Sequence, residues 1–437
     1  MRLKAEVRRR TYHDSIVLML ASRRMLDLPG VEAAMAAMGT PLNLDLLRDT
    51  GLWSESIATA GPDDLILAAR AQDPDAVLAE AVAVLAERMT PASGGDLAPP
   101  RTIRAAARRL AGANLALISV PGDHAAWVSA DALAQGLNVF CFSDNVSVAD
   151  EILLKKEAIR RELLFMGPDC GTAILDGVGL GFSNAVPRGR IGIVGASGTG
   201  IQQLSCLLAH QGVGISQAIG VGGRDLSPAV GGIMTREAIR RLDADPETDL
   251  IVVVSKPAEA ELSASKPLIK ALLGPGVDLT EIALRIGGGA LPADPVLPRW
   301  VGPVTGIFSG GTLKDEAALL WAGRPGLNAT DYGDDQYTRG RPHPMIDHTL
   351  RLEAIRQASG LVYLDVVLGR GAHPDPAAEL APALAGRPAV VVLIGCEGDP
   401  QGFQRQREAF ERVGASVFLS NSRAARAVLA GIETADS

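Results

Sequence analysis

The sequence predicts an α/β protein built from parallel sheets covered by helices. Short apolar, β-branched runs recur at 115–120, 137–142, 191–194, 250–254, 361–368, 390–394 and 417–419, and runs of this length bounded by turn residues read as buried strands. Helical patterns alternate with them, which is the rhythm of strand–helix–strand units. At 437 residues the chain has room for about three domains, each able to bury its own core.

Composition narrows the class. Hydrophobic residues make up 47% and charged residues 21% of the chain, a globular balance, and no apolar run reaches the roughly 18 residues of a membrane span. The basic start, Met1 to Arg10, is interrupted by Thr11 to Asp14 before the apolar Ile16 to Leu20, and no small-residue cleavage site follows. A cytoplasmic protein without export signal or membrane contact is expected. Cys141, Cys170, Cys206 and Cys396 lack CxxC or metal-ligand spacing, so they read as reduced core thiols. A net charge of −8 with few aromatics argues against a nucleic-acid partner. The glycine- and proline-rich stretches at 92–100, 186–189 and 295–303 read as a loop and two linkers, placing boundaries near 187 and 302.

The sharpest motif covers residues 191–200. Ile191-Gly192-Ile193-Val194 reads as a buried strand, Gly195-Ala196-Ser197-Gly198-Thr199-Gly200 as a turn, and Ile201, Leu204, Leu207 and Leu208 as the apolar face of a following helix. A helix start leaves backbone N–H groups unsatisfied at the positive end of the dipole, so with the Ser197 and Thr199 hydroxyls this turn suits a phosphate or carboxylate. A tight strand-to-helix turn that needs only small residues is the alternative, and glycine-rich matches do not separate the two. His210 fits the C-terminus of the same helix.

The construction recurs twice. Gly306-Ile307-Phe308-Ser309-Gly310-Gly311-Thr312 precedes a helix from Leu313, and Ile394-Gly395-Cys396-Glu397-Gly398-Asp399-Pro400 precedes one with Phe403 and Phe410 inward. In the second, Asp399 suits an N-cap, Pro400 the first helical position and Gly414 the stop. Capping therefore competes with catalysis for Glu397 and Asp399, and Cys396 reads as a buried turn thiol.

Polar residues crowd 331–347, where Asp334, Arg341 and His343 could hold an anionic substrate and supply acid/base groups. The strand at 361–368 runs into Arg370-Gly371-Ala372-His373-Pro374-Asp375, and ligands of parallel sheets meet loops at carboxyl strand ends. Self-bonded Asx and proline turns are the alternative for both loops. His343, His373 and Asp375 lack the spacing of a recognised metal site, so no metal is expected. Arg224, in Gly222-Gly223-Arg224-Asp225, could add a bidentate anion contact beside Ser197 with Asp225 orienting it, or form a turn salt bridge.

The chain resembles the FdrA family, which is related to the succinyl-CoA synthetases. The resemblance runs through Asp14-Ser15-Ile16-Val17, Met38-Gly39-Thr40-Pro41, Phe142-Ser143-Asp144-Asn145-Val146, Met166-Gly167-Pro168-Asp169-Cys170-Gly171-Thr172, the Gly195 to Gly200 turn, Gly222 to Ser227, Gly340-Arg341-Pro342-His343-Pro344-Met345-Ile346-Asp347 and Glu397-Gly398-Asp399-Pro400-Gln401. It implies a Rossmann-like CoA-binding-type domain at 1–187, followed by two flavodoxin-like ligase-type domains, the synthetase α type at 188–302 and the β type at 303–437. In the related enzymes two helix starts face one phosphate. On that footing Gly195, Ser197, Gly198, Thr199, Gly200, Gly310, Gly311, Thr312, Glu397 and Gly398 are expected to bind phosphate. Arg224, Asp334, Arg341 and His343 are expected in catalysis, and His373 and Asp375 at the substrate. The chain departs from the synthetases in three ways: Arg8 to Ser15 stands where they place a glycine-rich phosphate turn, which speaks against CoA, no histidine lies between Ser255 and Val304 to be phosphorylated, and no stretch resembles their ATP-grasp domain. For some relatives the family implies a subunit of oxamate carbamoyltransferase, working with two further protein subunits and exchanging a carbamoyl group between a ureido acid and phosphate. The expected reactants are inorganic phosphate or carbamoyl phosphate, with no certain cofactor. An acyl-CoA synthetase-like ligase and a non-catalytic scaffold are the competing readings, and Arg8 to Ser15 is a candidate docking surface or a solvated turn.

Overall fold

The computed structural model describes residues 1–13, 15–89, 100–256, 258, 260–274, 276–338 and 341–432. The loop expected at 92–95, with Pro99, lies outside the described residues, as do Asp14 and Gly340. The chain divides into two units, Met1–Pro99 with Asp335–Pro342, and Pro100–Asp334 with His343–Ser437.

In the first unit, β1 (Arg2–Arg8), α1 (Ser15–Leu26), β2 (Val31–Met38), α2 (Pro41–Asp49), β3 (Leu65–Ala71) and α3 (Pro74–Met89) follow in order. Thr40 caps α2 by accepting from Asn43 N, with Pro41 in the first turn, where its missing N–H costs nothing. β3 lies between β1 and β2 and is antiparallel to both. Its Leu65, Leu67 and Ala69 pack with Leu18, Met25 and Leu78, while Ile66 and Ala68 pack with Leu47, Leu52 and Ile57. Both faces are covered, which is why β3 reads as an apolar run from Leu65 to Ala69, ahead of Arg70. This sheet corrects the expected Rossmann-type domain over 1–187: strand-length apolar runs do not encode strand direction, and here the central strand runs against its neighbours. The basic turn is also accounted for locally. Asp64 accepts from Arg9 Nη1 at 2.6 Å, Arg10 N at 2.9 Å and Gly61 N at 2.9 Å. Those donors, Gly61 N–H foremost, hold its carboxyl down at about 2, so Arg9 and Arg10 close a loop on their own unit.

The second unit opens with α4 (Ile103–Arg109), β4 (Leu115–Ile118), α5 (Gly122–Ala134), β5 (Asn138–Cys141), α6 (Val148–Arg160) and β6 (Phe165–Met166). β4, β5 and β6 make a parallel three-stranded sheet, so of residues 1–187 this stretch carries the parallel strand–helix alternation expected there. β7 (Thr172–Leu175) and β8 (Val178–Gly181) form a hairpin that belongs to the next sheet, upstream of the boundary expected near 187. That sheet continues with β9 (Arg188–Ala196), α7 (Gly198–Ala209), β10 (Ile215–Gly220), α8 (Ile233–Ala244), β11 (Leu250–Ser255), β12 (Leu268–Leu272) and α9 (Leu279–Gly287). Its order is β12-β11-β9-β10-β7-β8, with β9 to β12 parallel and β7 antiparallel to β10.

The last sheet and its helices comprise β13 (Val304–Phe308), α10 (Gly311–Leu320), β14 (Leu327–Asp331), α12 (Thr349–Gln357), β15 (Leu361–Val367), α13 (Pro376–Leu384), β16 (Ala389–Ile394), α14 (Phe403–Arg412), β17 (Ser416–Phe418) and α15 (Asn421–Gly431), while α11 (Asp335–Thr338), between β14 and α12 in the sequence, belongs to the first unit. Its order β14-β13-β15-β16-β17 is all parallel, the flavodoxin-like 2-1-3-4-5 pattern. One apolar cluster joins the two larger sheets, with Ile193, Leu204, Leu207 and Val252 in the same core as Leu364, Val391, Phe403 and Phe410. The four cysteines are free and buried. Among the described residues no helix is long and apolar enough to cross a membrane.

Candidate functional site

Topology locates the site. The chain leaves β9 toward β10 and returns on the far side to β11, and likewise leaves β13 toward β14 and returns to β15. Each sheet therefore has a switch point, and crevices open at the carboxyl ends of strands on either side of one. α7 and α10 start at these two points. Ser197 caps α7 by accepting from Gly200 N at 2.9 Å, whereas Gly310 before α10 offers no side-chain cap. Ser197 Oγ lies 2.5 Å from Thr312 Oγ1, so the two helix starts face each other. Gly310 lets them close in: a Cβ there would collide with Thr199 Cγ2 and sit 2.7 Å from its Oγ1. The first N–H groups of both helices have no intrahelical acceptor. Two positive dipole ends pointed together repel, and an anion between them would remove that cost.

Side chains from both sheets edge this junction. Lys256, which follows β11, and Asp331, which ends β14, meet at α10: a Cβ on Gly311 would lie 3.2 Å from Lys256 Nζ and 3.0 Å from Asp331 Oδ2. Lys256 is 52% exposed and 3.8 Å from Asp315 Oδ2, so its ammonium is open to a ligand. Asp331 Oδ1 accepts from Gly333 N at 2.8 Å. Burial pushes the Asp331 carboxyl up to about 6, Asp365 adds to the rise, and the Gly333 N–H, Lys256 and Lys314 oppose it. Beneath the turn, Ser309 N and Oγ donate to Asp365 Oδ1 at 2.8 and 2.9 Å, and Arg351 Nη2 pairs with the same oxygen at 3.2 Å. Asp365 and Arg351 are buried. Their ion pair fixes the end of β13, with Asp365 Oδ2 and Arg351 Nε making no hydrogen bond.

His343 borders the same place. Its Nδ1 accepts from Met345 N at 3.2 Å, which puts the ring proton on Nε2. A Cβ on Gly333 would lie 3.0 Å from that Nε2 and 2.8 Å from Ser309 O, so His343 faces the β14 loop. Burial, assisted by Arg351, pushes its pKa down to about 4. It is a neutral N–H donor near pH 7, suited to holding a developing oxyanion rather than to removing a proton.

Other expected residues serve packing. Arg224 is corrected from an anion contact to an ion pair: its Nε donates to Glu151 Oε2 at 2.6 Å and its Nη2 to Val146 O. Asp225 joins the buried Lys155 at 2.6 Å and receives Thr235 N at 2.8 Å. The third glycine turn is also corrected, because segment 184–185 fills it. A Cβ on Gly398 would overlap Ala185 O, and Asp399 accepts from Asn184 Nδ2 at 2.9 Å, Ala185 N at 2.7 Å and Cys396 N at 2.8 Å. Glu397 is exposed and bonds Gln404, and α14 starts at Phe403 rather than Pro400. Asp375, expected at the substrate, caps α13 and accepts from Gln406 Nε2 at 2.8 Å. Gly195 serves strand–helix packing, since a Cβ there would collide with Ile201, while one on Gly198 would lie 3.2 Å from Thr172 Oγ1. Arg341 N bonds Thr338 O at 3.1 Å within the first unit, and Asp334 N bonds Asp331 O at 3.4 Å.

His373 makes the same His-Pro turn as His343, with Asp375 N donating to Nδ1 at 3.1 Å. Its Nε2 therefore carries a proton toward Glu379 Oε1, 3.2 Å away, and His348 Nδ1 lies 3.0 Å from Glu379 Oε2. Ligating atoms of these three residues lie within 4.8 Å of one another. A cation on His373 Nε2 would force a proton onto Nδ1, against the Asp375 N–H, so hydrogen bonding accounts for the cluster. Sequence reasoning passed over His348, Glu379, Lys256, Asp331, Asp365 and Arg351. Lys256 and Asp331 were the findable ones, as polar residues closing apolar strand patterns at carboxyl ends.

Three protein families match parts of the chain: "AllF, heavy metal-associated domain" over residues 1–99, "CoA binding domain" over 187–281 and "CoA-ligase" over 307–430. The heavy-metal description does not fit the donors present, because residues 1–99 contain no cysteine and one histidine, His13. The chain is 32% identical over 178 residues to the alpha subunit of succinate–CoA ligase [ADP-forming] of Aquifex aeolicus, covering 38% of this chain and 57% of that one. A dinucleotide-forming acetyl-coenzyme A synthetase 1 of Ca. Korarchaeum cryptofilum, in complex with phosphate and ADP, aligns over 72% of this chain and 81% of its own with 15% identity and a TM-score of 0.29, too low to bear on the argument. YahF of Escherichia coli (strain K12), described as an uncharacterized protein, is 34% identical over 509 aligned positions spanning 98% of both chains. The chain therefore belongs to the YahF family, with CoA-binding and CoA-ligase segments behind an AllF-type N-terminal domain.

Proposed function

We propose that this chain is a phosphate-handling acyl-transfer enzyme of the acyl-CoA synthetase and succinyl-CoA ligase class, which holds an acyl phosphate between the starts of α7 and α10. The observation that carries the reading is the 2.5 Å approach of Ser197 and Thr312, which brings two helix starts to one point. The match to a succinate–CoA ligase subunit supports the same class. In this reading a phosphate oxygen forms a bond to the acyl carbon as the bond to the leaving atom breaks, and the electron pair departs with that atom. Helix N–H groups and the His343 Nε2–H hold the negative charge that develops on the carbonyl oxygen.

A narrower version is exchange of a carbamoyl group between a ureido acid and phosphate, in a complex with two further subunits. One observation favours it: no histidine lies between Ser255 and Val304 to relay a phosphoryl group, and direct carbamoyl exchange requires no relay. The test is to express the chain alone and with its genomic neighbours. Phosphate-dependent formation of carbamoyl phosphate from a ureido acid supports the narrower version. Acyl-CoA formation from an acyl phosphate and CoA supports the ligase version, and inactivity in every combination removes both.

A further inference from the structure

Lys256 and Asp331 belong to neither the helix starts nor the expected catalytic set. We propose that Asp331 is the proton donor to the leaving atom of the transferred group, and that Lys256 is the cation holding the anionic end of the substrate at the start of α10. This rests on the acyl-phosphate reading of the site and deepens it by naming a substrate class.

The geometry comes from both sheets. Lys256, just after β11, and Asp331, at the end of β14, converge on one point, 3.2 and 3.0 Å from a Cβ position on Gly311. That point lies one residue from Thr312, whose hydroxyl meets Ser197 at 2.5 Å. Asp331 Oδ1 is occupied by Gly333 N, which turns Oδ2 toward α10. The charged and titratable groups facing Asp331 are Lys256 and Lys314, which oppose protonation, and Asp365, which favours it. Arg351 lies within electrostatic reach, and His343, beside Gly333, stays uncharged. The balance leaves a carboxyl that titrates at about 6, able to give a proton near neutral pH.

A donor here has a chemical consequence. A departing thiolate is stable enough to leave without a proton, whereas an amide or ureido nitrogen must gain one as its bond to carbon breaks. Asp331 gives its proton to that nitrogen and is left as a carboxylate beside the Lys256 ammonium. The site is therefore built for substrates that combine a carboxylate or phosphate end with a nitrogen leaving group.

Sulfate is a suitable probe, because it keeps its charge between pH 5 and 8. Calorimetric titration of the intact chain with sulfate should show affinity falling as pH rises through about 6, since an ionised Asp331 repels the bound dianion. Asp331→Asn should flatten that slope, and Lys256→Met should weaken binding about tenfold at every pH, the size of one charge-assisted hydrogen bond. With the partner-complemented enzyme, Asp331→Asn should slow an amide-nitrogen substrate far more than its p-nitrophenyl analogue, whose leaving group needs no proton. Sulfate binding with the wild-type pH slope kept in Asp331→Asn, or equal slowing of both substrates, overturns this assignment alone. No sulfate binding by the wild-type chain removes the phosphate site and this assignment together.

Discussion

The hydroxyls of Ser197 and Thr312 meet at 2.5 Å across 115 residues of sequence, the first capping and the second opening a helix that begins at a sheet's switch point. The contact couples the two larger sheets at the place where both dipoles are most positive. Small residues make it possible, because Gly310 gives Thr199 the space that a side chain would take.

Gly310→Ala should push the helix starts apart. A Cβ would collide with Thr199, and overpacking of this kind costs about 1–3 kcal/mol. The expected result is a lower melting temperature together with loss of phosphate-dependent turnover. Adding Thr199→Gly should restore a measurable part of both, as the added methyl then has room. No rescue in the double variant would count against the packing argument.

The sequence revealed this junction through its composition, since a buried strand, small residues and a helical face appear in that order at both turns. It did not reveal which of three such turns was open. Gly398 resembles Gly310 in the sequence, yet Ala185 O fills the space beside it, and only the path of segment 184–185 decides that. Arg224 was misread for a related reason. Its partner Glu151 is 73 residues away on α6, and neither spacing nor periodicity reports such a pairing. Strand direction in residues 1–99 was hidden because β3 is apolar on both faces, as a parallel strand would be.

Arg224 and Lys155 should affect stability and leave phosphate recognition alone. Lys155 is fully buried between Glu151, at 2.5 Å, and Asp225, at 2.6 Å. Lys155→Met would leave the buried Asp225 without a cation and Glu151 with Arg224 alone, a loss of about 3–5 kcal/mol. Arg224, 37% exposed, should cost about 1 kcal/mol on change to alanine. Urea unfolding gives both stability losses, and steady-state kinetics gives the KM for phosphate. A large rise in KM for phosphate in Arg224→Ala would return that residue to the site.

Glu316→Gln should stabilise the chain above neutral pH. Glu316 is fully buried, Asn421 Nδ2 bonds its Oε2, and Oε1 makes no hydrogen bond. Burial raises its carboxyl to about 7, above the ordinary value of about 4.3 in an unfolded chain. The folded state thus binds the extra proton, and the stability it contributes is lost as pH rises through that window. At pH 8 the glutamine variant should gain roughly 3–4 kcal/mol, falling to little below pH 4. A gain independent of pH would mean that Glu316 does not titrate there.

His343 should behave as a neutral donor at every pH where the chain is folded and active. Its folded pKa of about 4 lies below the value of about 6.5 for an unfolded histidine. Between those values the unfolded chain binds more protons, so stability from His343 is complete above about pH 6.5 and is lost as pH falls toward 4, by up to about 3 kcal/mol. His343→Gln cannot titrate and should reduce that acid-side slope, although Asp331 and Glu316, both raised by burial, contribute slopes of the opposite sign in both proteins. Proton NMR of the ring isolates the group itself and should find no midpoint above pH 5. Activity separates a donor from a base. Glutamine can still present an N–H near the position of Nε2, whereas leucine cannot, so His343→Leu should lose about 10²–10³ in turnover and His343→Gln distinctly less. Equal loss in the two variants, or a ring midpoint near 7, would instead make His343 a proton acceptor, and the oxyanion would then depend on the helix N–H groups alone.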